Sequence, residues 1–493
     1  VLCSPIDESG LESNITSDFF TLDPLVPQDL IALREEFLIE SVIPVIFVGG
    51  GIGHTRKREG VILEFSTVCP FIQPIALPSR GLRMKLLTRL IFAVLMLPVL
   101  GAKGSQDWMQ WRGPNGNGTA APTATPPLRW SENENVRWKV PIPGRGLSSP
   151  TVVGGLILLT SATETSRIAI AYDRSNGQKR WETVIHEGPL PEKVHRKNSA
   201  ATPTVASDGT LGFVVFHHGG DVVLTALDLE GKVVWQRSTG AYECDYGFGY
   251  APSPTIHGKI VIVSSEFTAG GYLAAFRSSD GEEVWRTDRR VKTSYSSPIV
   301  ATLGGIEQLL LSGADVVSSY DPGSGRLFWQ IAGSSKATCG TMVWSEDSVF
   351  ASGGFPNKET LAVRVGVEPE VLWRHGDSSY EQSLLYLDGH VYAFNDGGIA
   401  ICWEAETGRE KWKVRLGGPV SASPTFAGGR IYAMNERGVT YVFAPDPEKF
   451  IKLAENTLGS EGFATPAFVG DRVYLRTADA SAGRQEWLYC LGE

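Results

Sequence analysis

The sequence holds little of what most metal, redox and nucleic-acid chemistry requires. Six cysteines, Cys3, Cys69, Cys244, Cys339, Cys402 and Cys490, are dispersed over 493 residues. None forms a Cys-x-x-Cys pair, so a disulfide framework, a zinc knuckle and a Cys-x-x-Cys-His haem attachment are excluded, and no metal site is expected. Positive charge is in deficit: 45 Lys and Arg face 54 Asp and Glu, a formal net charge of −9, and no polybasic stripe offers itself to nucleic acid. Long apolar runs are also missing. The run from Leu90 to Leu100 is eleven residues with Pro98 inside it, against about 20 needed to cross a bilayer. There is no Gly-rich loop with a downstream Val-Ala-Ile-Lys strand and no His-Arg-Asp loop, so kinase chemistry is unsupported.

Glycine and tryptophan, by contrast, recur in step. A Gly precedes a Trp by four positions at Gly177/Trp181, Gly231/Trp235, Gly281/Trp285, Gly325/Trp329 and Gly408/Trp412. A second mark, a small residue and proline before an apolar run, appears at Ser149-Pro150, Thr202-Pro203, Ser253-Pro254, Ser297-Pro298, Ser423-Pro424 and Thr465-Pro466. Thr341-Met342 and Ser383-Leu384 open equivalent runs, giving eight copies roughly 40 to 50 residues apart, the period of propeller blades. Each copy divides into four short alternating segments with Gly, Asn or Asp turns, as in 150–153, 156–161, 168–172 and 179–184. The expected fold is all-β: an eight-bladed β-propeller of four-stranded antiparallel blades. The repeated glycine suits a turn with positive φ and the tryptophan a wedge between blades, so Trp181, Trp235, Trp285, Trp329, Trp373 and Trp412 read as packing. The last copy is one strand short, and Val136-Arg-Trp-Lys-Val140 is placed to complete it and close the ring.

On these motifs, residues 106–493 resemble the pyrroloquinoline-quinone (PQQ) repeat propellers, a family with quinoprotein and BamB-like members. Trp108-Met-Gln-Trp111-Arg-Gly-Pro-Asn-Gly-Asn-Gly118 and His195-Arg-Lys-Asn-Ser-Ala-Ala-Thr-Pro203 are similar to secreted planctomycete proteins of that kind. WD-repeat and kelch propellers fit less well, because no Trp-Asp dipeptide occurs and the Gly-Gly pairs keep no fixed spacing to the tryptophans.

Residues 1–83 carry no repeat motif and read as an extension that is disordered or precedes the true start. The first methionine, Met84, opens a short basic stretch, the apolar run and an Ala102-Lys-Gly104 site, so 84–104 has the anatomy of a secretory signal peptide. Residues 105–135 would be a lead-in and 136–493 the propeller. An exported, periplasmic or extracellular monomer is expected, without a stable membrane span after cleavage.

Function in a propeller belongs to the loops that converge on its axis. Tyr242, Glu243, Asp245, Tyr246 and Tyr250 concentrate carboxylates and aromatics in one connector. A second holds His186, His195, Arg196, Lys197 and Asn198, and His217, His218, Asp221, Glu266, Asp315, Tyr380, Glu381, Gln382, Asn395, Asp396, Asn435, Glu436 and Arg437 come from other repeats. Lys197 and Asp315 read better as solvated charges, and Asn395-Asp396 as a hairpin turn. His217 and His218 would point to opposite faces of a strand.

No residue is assigned as catalytic. The BamB-like resemblance implies a non-catalytic module that binds a protein, peptide or glycan at the propeller face, with no cofactor. The quinoprotein resemblance implies PQQ with calcium and an aspartate base for alcohol or sugar oxidation. Here the vicinal Cys-Cys pair of many such enzymes is missing and the stacking tryptophan cannot be placed. Paired carboxylates such as Glu243 and Asp245 leave glycan chemistry open.

Overall fold

A computed structural model describes residues 107–493 apart from 191–193, 244–246, 291, 367 and 482. The expected extension and signal peptide lie outside the described residues. The repeats build eight separate four-stranded antiparallel sheets, seven of them in chain order from the inner to the outer strand. Blades 1 to 7 cover 151–187, 206–241, 255–288, 299–332, 343–375, 385–415 and 425–457. Blade 8 takes three strands from 467–491, and its outermost strand is Val136–Ile142, paired antiparallel with Gln485–Leu491. The first and last segments of the ring thus share a sheet, as the missing strand required.

Burial explains the pattern of each blade. The second and third strands of blade 1, Leu156–Ala162 and Ser166–Asp173, are buried on both faces because neighbouring blades cover them. They therefore read as continuous small and apolar runs, whereas the outer strand, Lys179–Glu187, alternates. In blades 1 to 7 the pairing of third and fourth strands slips by one residue immediately before the Trp position, as between Ala171 and Tyr172. Such a bulge re-aims the residue that follows it, which is the wedge tryptophan in blades 1 to 6 and Ala454 in blade 7.

Two belts join the blades. In the outer belt the Trp of one blade lies over the repeat glycine of the next. A Cβ on Gly231 would stand 2.5 Å from the Trp181 ring, and one on Gly177 would stand 2.7 Å from Trp138, which closes blade 8 onto blade 1. These glycines are required twice over, by close approach and by φ of +89° and +74°. The indole N–H then donates across the junction, Trp181 to Leu229 O at 2.8 Å and Trp412 to Asp446 O at 2.9 Å.

The inner belt is made of hydroxyls. Backbone N–H groups of Ser149, Thr204, Ser253, Thr341, Ser383 and Ser423 donate to Thr204, Ser253, Ser297, Ser383, Ser423 and Thr465 hydroxyls in turn, at 2.9–3.0 Å. The small-residue mark is therefore a blade-to-blade link. One copy is displaced from the expected position: in blade 2 the belt residue is Thr204, two residues beyond Thr202, because the inner strand there begins only at Ala206.

Candidate functional site

The face that receives the blade connectors carries a cavity of about 250 Å3 on the ring axis. Its wall is built from one equivalent position per connector, two residues before each belt residue: Leu147, Thr202, Ala251, Tyr295, Cys339, Glu381, Ser421 and Phe463. Extended backbone returns a side chain to the same side every second residue, so both positions face the axis. His195, Lys197, Asn198, Phe248, Phe355 and Tyr380 form the mouth around them.

The far end of the channel is closed by the lead-in, which reaches every blade. Trp108 exchanges backbone hydrogen bonds with Val152, Met109 O accepts from Ser207, and Gln110 bonds Thr255. Gly116 lies against Ile299, and Trp111 Nε1 donates to Thr341 Oγ1 at 2.8 Å. Arg112, 1% exposed, donates to Pro424 O at 2.7 Å, Leu384 O at 2.6 Å and Asn117 O at 3.0 Å. Thr125 N bonds Gly470 O at 2.8 Å. Burial without a carboxylate lowers the Arg112 pKa to about 9, and three carbonyl oxygens hold the charged form. Trp111 reaches the cavity from this side, so the channel is a blind cup.

One charged cluster stands at the wall. Lys197 Nζ lies 3.2 Å from Glu381 Oε2 and 2.7 Å from Glu436 Oε1. Ser421 Oγ lies 2.5 Å and 2.8 Å from the same two oxygens, and its single proton serves one of them at a time. Burial opposes the Lys197 charge, but the two carboxylates outweigh it and raise its pKa. Burial raises the Glu381 pKa, with Lys197 working against it. Burial also raises Asp396, whose Oδ1 accepts from Tyr380 N, and pushes the Cys339 thiol well up, so that it stays protonated. Burial, then Arg196 and Lys197, lowers His195.

Of the residues expected at the funnel, His195, Asn198, Tyr380 and Glu381 line the cup. Arg196 is exposed, as is Glu243. Tyr242 and Tyr250 are turned away from the axis and packed against Phe267 and each other, with their hydroxyls donating to Gly249 O at 2.9 Å and Ser264 O at 2.8 Å. Removing two aromatic rings from water between blades 2 and 3 outweighs presenting them to the channel. His217 packs edge-on against Tyr242. Asp245 and Tyr246 lie outside the described residues. Lys197, expected to be a solvated charge, is instead the centre of the cluster, while Asp315 pairs with half-buried Lys292. Asn395 Oδ1 caps its own turn at Gly397 N and Ile399 N, as expected. Trp111, Tyr295, Cys339, Phe355, Ser421 and Phe463 were not singled out by the sequence reading. Stepping two residues back from each small-residue mark finds the wall members among them.

Among the described residues no group of three or more His, Cys, Asp or Glu side chains is placed to hold a metal ion. No helix there is long and apolar enough to cross a membrane.

A family model described as outer membrane protein assembly factor BamB matches residues 129–245, 246–386 and 368–446. The outer membrane protein assembly factor BamB of Burkholderia pseudomallei is 25% identical over 198 residues, 39% of this chain and 46% of that protein. The chain thus matches less than half the length of that relative. Among solved structures, BamB from Moraxella catarrhalis superposes with a TM-score of 0.52 at 15% identity, covering 72% of this chain and 96% of that one. Quinohemoprotein alcohol dehydrogenase from Comamonas testosteroni superposes at 0.56 and 14% identity, covering 80% and 81%. At these identities the structures are alike in fold alone.

Proposed function

The chain belongs to the BamB-like family of PQQ-repeat β-propellers, and from that membership we propose that it is an exported, non-catalytic binding propeller that takes a protein or peptide partner on its cup face. The observation that carries this reading is the cup itself. It is blind, walled by Tyr295, Tyr380, Phe248, Phe355 and Phe463, and large enough for a side chain or two. An aromatic pocket of that size at the centre of a face suits an anchor residue of a partner. The cluster beside it is already satisfied internally, which favours holding a group over reacting with it.

The cup residues do not fit a calcium-bound PQQ. Calcium draws several carboxylate and carbonyl oxygens around itself, whereas Glu381 and Glu436 converge on the Lys197 ammonium. The Cys339 thiol is held protonated. Trp111 at the closed end is the feature that favours the quinoprotein reading, since a flat cofactor would stack there.

Selection of displayed random peptides against the full chain tests the proposal. Recovered sequences should share an aromatic or aliphatic anchor and lose binding on Tyr380→Ala. The proposal falls if PQQ and calcium instead bind saturably, followed by tryptophan fluorescence, with dye-linked oxidation of an alcohol or sugar that Glu381→Gln abolishes. A glycan bound in place of any peptide would also overturn it.

A further inference from the structure

A second polar site lies on the same face, at the junction of blades 1 and 2. Arg167 stands near the start of the third strand of blade 1, Ser166–Asp173, and is paired in register with His186 near the end of the fourth, Lys179–Glu187. His217 and His218 end the second strand of blade 2, Leu211–His218. The His186 and His218 rings stack with centroids 4.4 Å apart at 15°. Four nitrogens of this cluster are buried without a hydrogen-bond partner: Arg167 Nε and Nη1, His186 Nε2 and His217 Nε2. Arg167 is 3% exposed, and its remaining Nη2 donates only to Pro189 O, at 3.3 Å.

A buried cation is ordinarily paired with a carboxylate or saturated with hydrogen bonds, because leaving its donors dry forfeits their hydration. Arg112 meets three carbonyls and leaves only its Nε unpaired; Arg167 meets one carbonyl, at 3.3 Å, and leaves two of its three nitrogens unpaired. Among the described residues no carboxylate is paired with it. Asp221 is the acidic group that acts on the cluster, through His217, and it already accepts from Ser238 Oγ at 2.6 Å. Neutral imidazoles alone could ligate a metal ion, but the guanidinium charge beside them disfavours a cation and attracts an anion.

We infer that Arg167, His186 and His218 form a receptor for a small oxyanion, the carboxylate or phosphate group of a ligand, at the blade 1–2 junction. The anion would supply the acceptors that Arg167 lacks and, as the histidines take up protons, their counter-charge. The groups facing His186 are His218 stacked on it, Arg167 across the strand pair, and Phe216 edge-on; His217 faces Tyr242 and Asp221. Burial, followed by His218 and Arg167, holds the His186 pKa down to about 4. An anion in contact reverses the sign of its surroundings, so binding is coupled to proton uptake and tightens as pH falls.

The test is a titration of the full chain with histidine labelled for NMR, in matched ionic strength of chloride, inorganic phosphate or acetate, between about pH 4 and pH 8. About 10 mM phosphate should raise the His186 midpoint by about one pH unit and move His218, while half-buried His390 in blade 6 stays in place. Arg167→Gln should abolish the effect, and His218→Asn, a change at a half-buried ring that leaves Arg167 intact, should weaken it at least about threefold. Acetate reproducing the effect identifies a carboxylate as sufficient, and phosphate alone a phosphate. No movement with either anion, or a movement shared by His390 and indifferent to both substitutions, overturns the inference. The cup is untouched by these variants, so peptide binding there succeeds or fails independently.

Discussion

The two ends of the axial channel solve opposite problems. At the closed end, the lead-in ties itself to all eight blades, and its buried charge, Arg112, meets only backbone carbonyls whose positions the ring fixes. At the open end, side chains meet side chains: Lys197, Glu381 and Ser421 come from three connectors and Glu436 from a hairpin of blade 7, and they satisfy one another. Backbone acceptors cannot be swapped without moving a strand, whereas a side-chain cluster can be rewritten by substitution. The closed end is thus a structural clamp, and variation that sets binding is free to occur at the open one.

The largest effect should come from breaking the clamp. Arg112→Met removes three charge-assisted hydrogen bonds and strands the Pro424 and Leu384 carbonyls, a loss of about 3–5 kcal/mol. Guanidinium unfolding reads it directly; a loss under about 1 kcal/mol would mean that the lead-in does not hold the ring.

On the open face the corresponding liability is His186. Its folded pKa of about 4 lies below the ordinary 6.5, so protonation favours the unfolded chain. The stability in question is complete above about pH 6.5 and is lost as pH falls towards 4, amounting to about 3 kcal/mol. Chemical unfolding at several pH values should show this limb in the wild type and a flattened one in His186→Gln. Arg112 stays charged over the same range, so its clamp should persist through the acid limb.

Between the two ends, the outer belt gives a graded comparison. Gly231 and Gly209 both have positive φ, +89° and +92°, but only Gly231 lies under an indole, with open space around Gly209. Gly231→Ala should cost about 2–3 kcal/mol and Gly209→Ala about 1 kcal/mol. Equal losses in thermal unfolding would show that φ alone, and not the Trp181 contact, requires the glycine.

That belt also marks what the sequence could disclose. The Gly-x-x-x-Trp spacing carries the blade count because the turn, the bulge and the wedge are local, and a local geometry repeats with its residues. The bulge before each Trp was not legible, since it involves no special residue: Arg180, Val234 and Val284 share that position. The hydroxyl belt was visible as Ser-Pro and Thr-Pro without its purpose, because its partner is a residue 40 to 55 positions away. Blade 2 shows the limit of the mark: Pro203 sits before the belt residue Thr204, where other proline-bearing copies place it after. In the cup, Glu381 and Tyr380 were legible as polar and aromatic residues in a connector. Tyr242 and Tyr250 looked the same and were drawn into the core. Composition does not tell a ring that lines a channel from one that seals a junction; position relative to the belt does.

That positional rule supplies the smallest and sharpest test. Phe463 stands two residues before Thr465, half-buried at the cup wall. Phe463→Ala should cost only about 1 kcal/mol of stability, because the ring is not part of a blade core. If the cup receives an anchor side chain, the same change should weaken a selected peptide about tenfold or more, the loss of one aromatic contact in a desolvated pocket. Phe426, half-buried at the closed end where it exchanges backbone hydrogen bonds with the lead-in, gives the control. Its replacement by Ala should lower stability and leave peptide affinity unchanged. Were both substitutions to weaken the peptide equally, binding would not be confined to the open face, and the division between clamp and cup would fail.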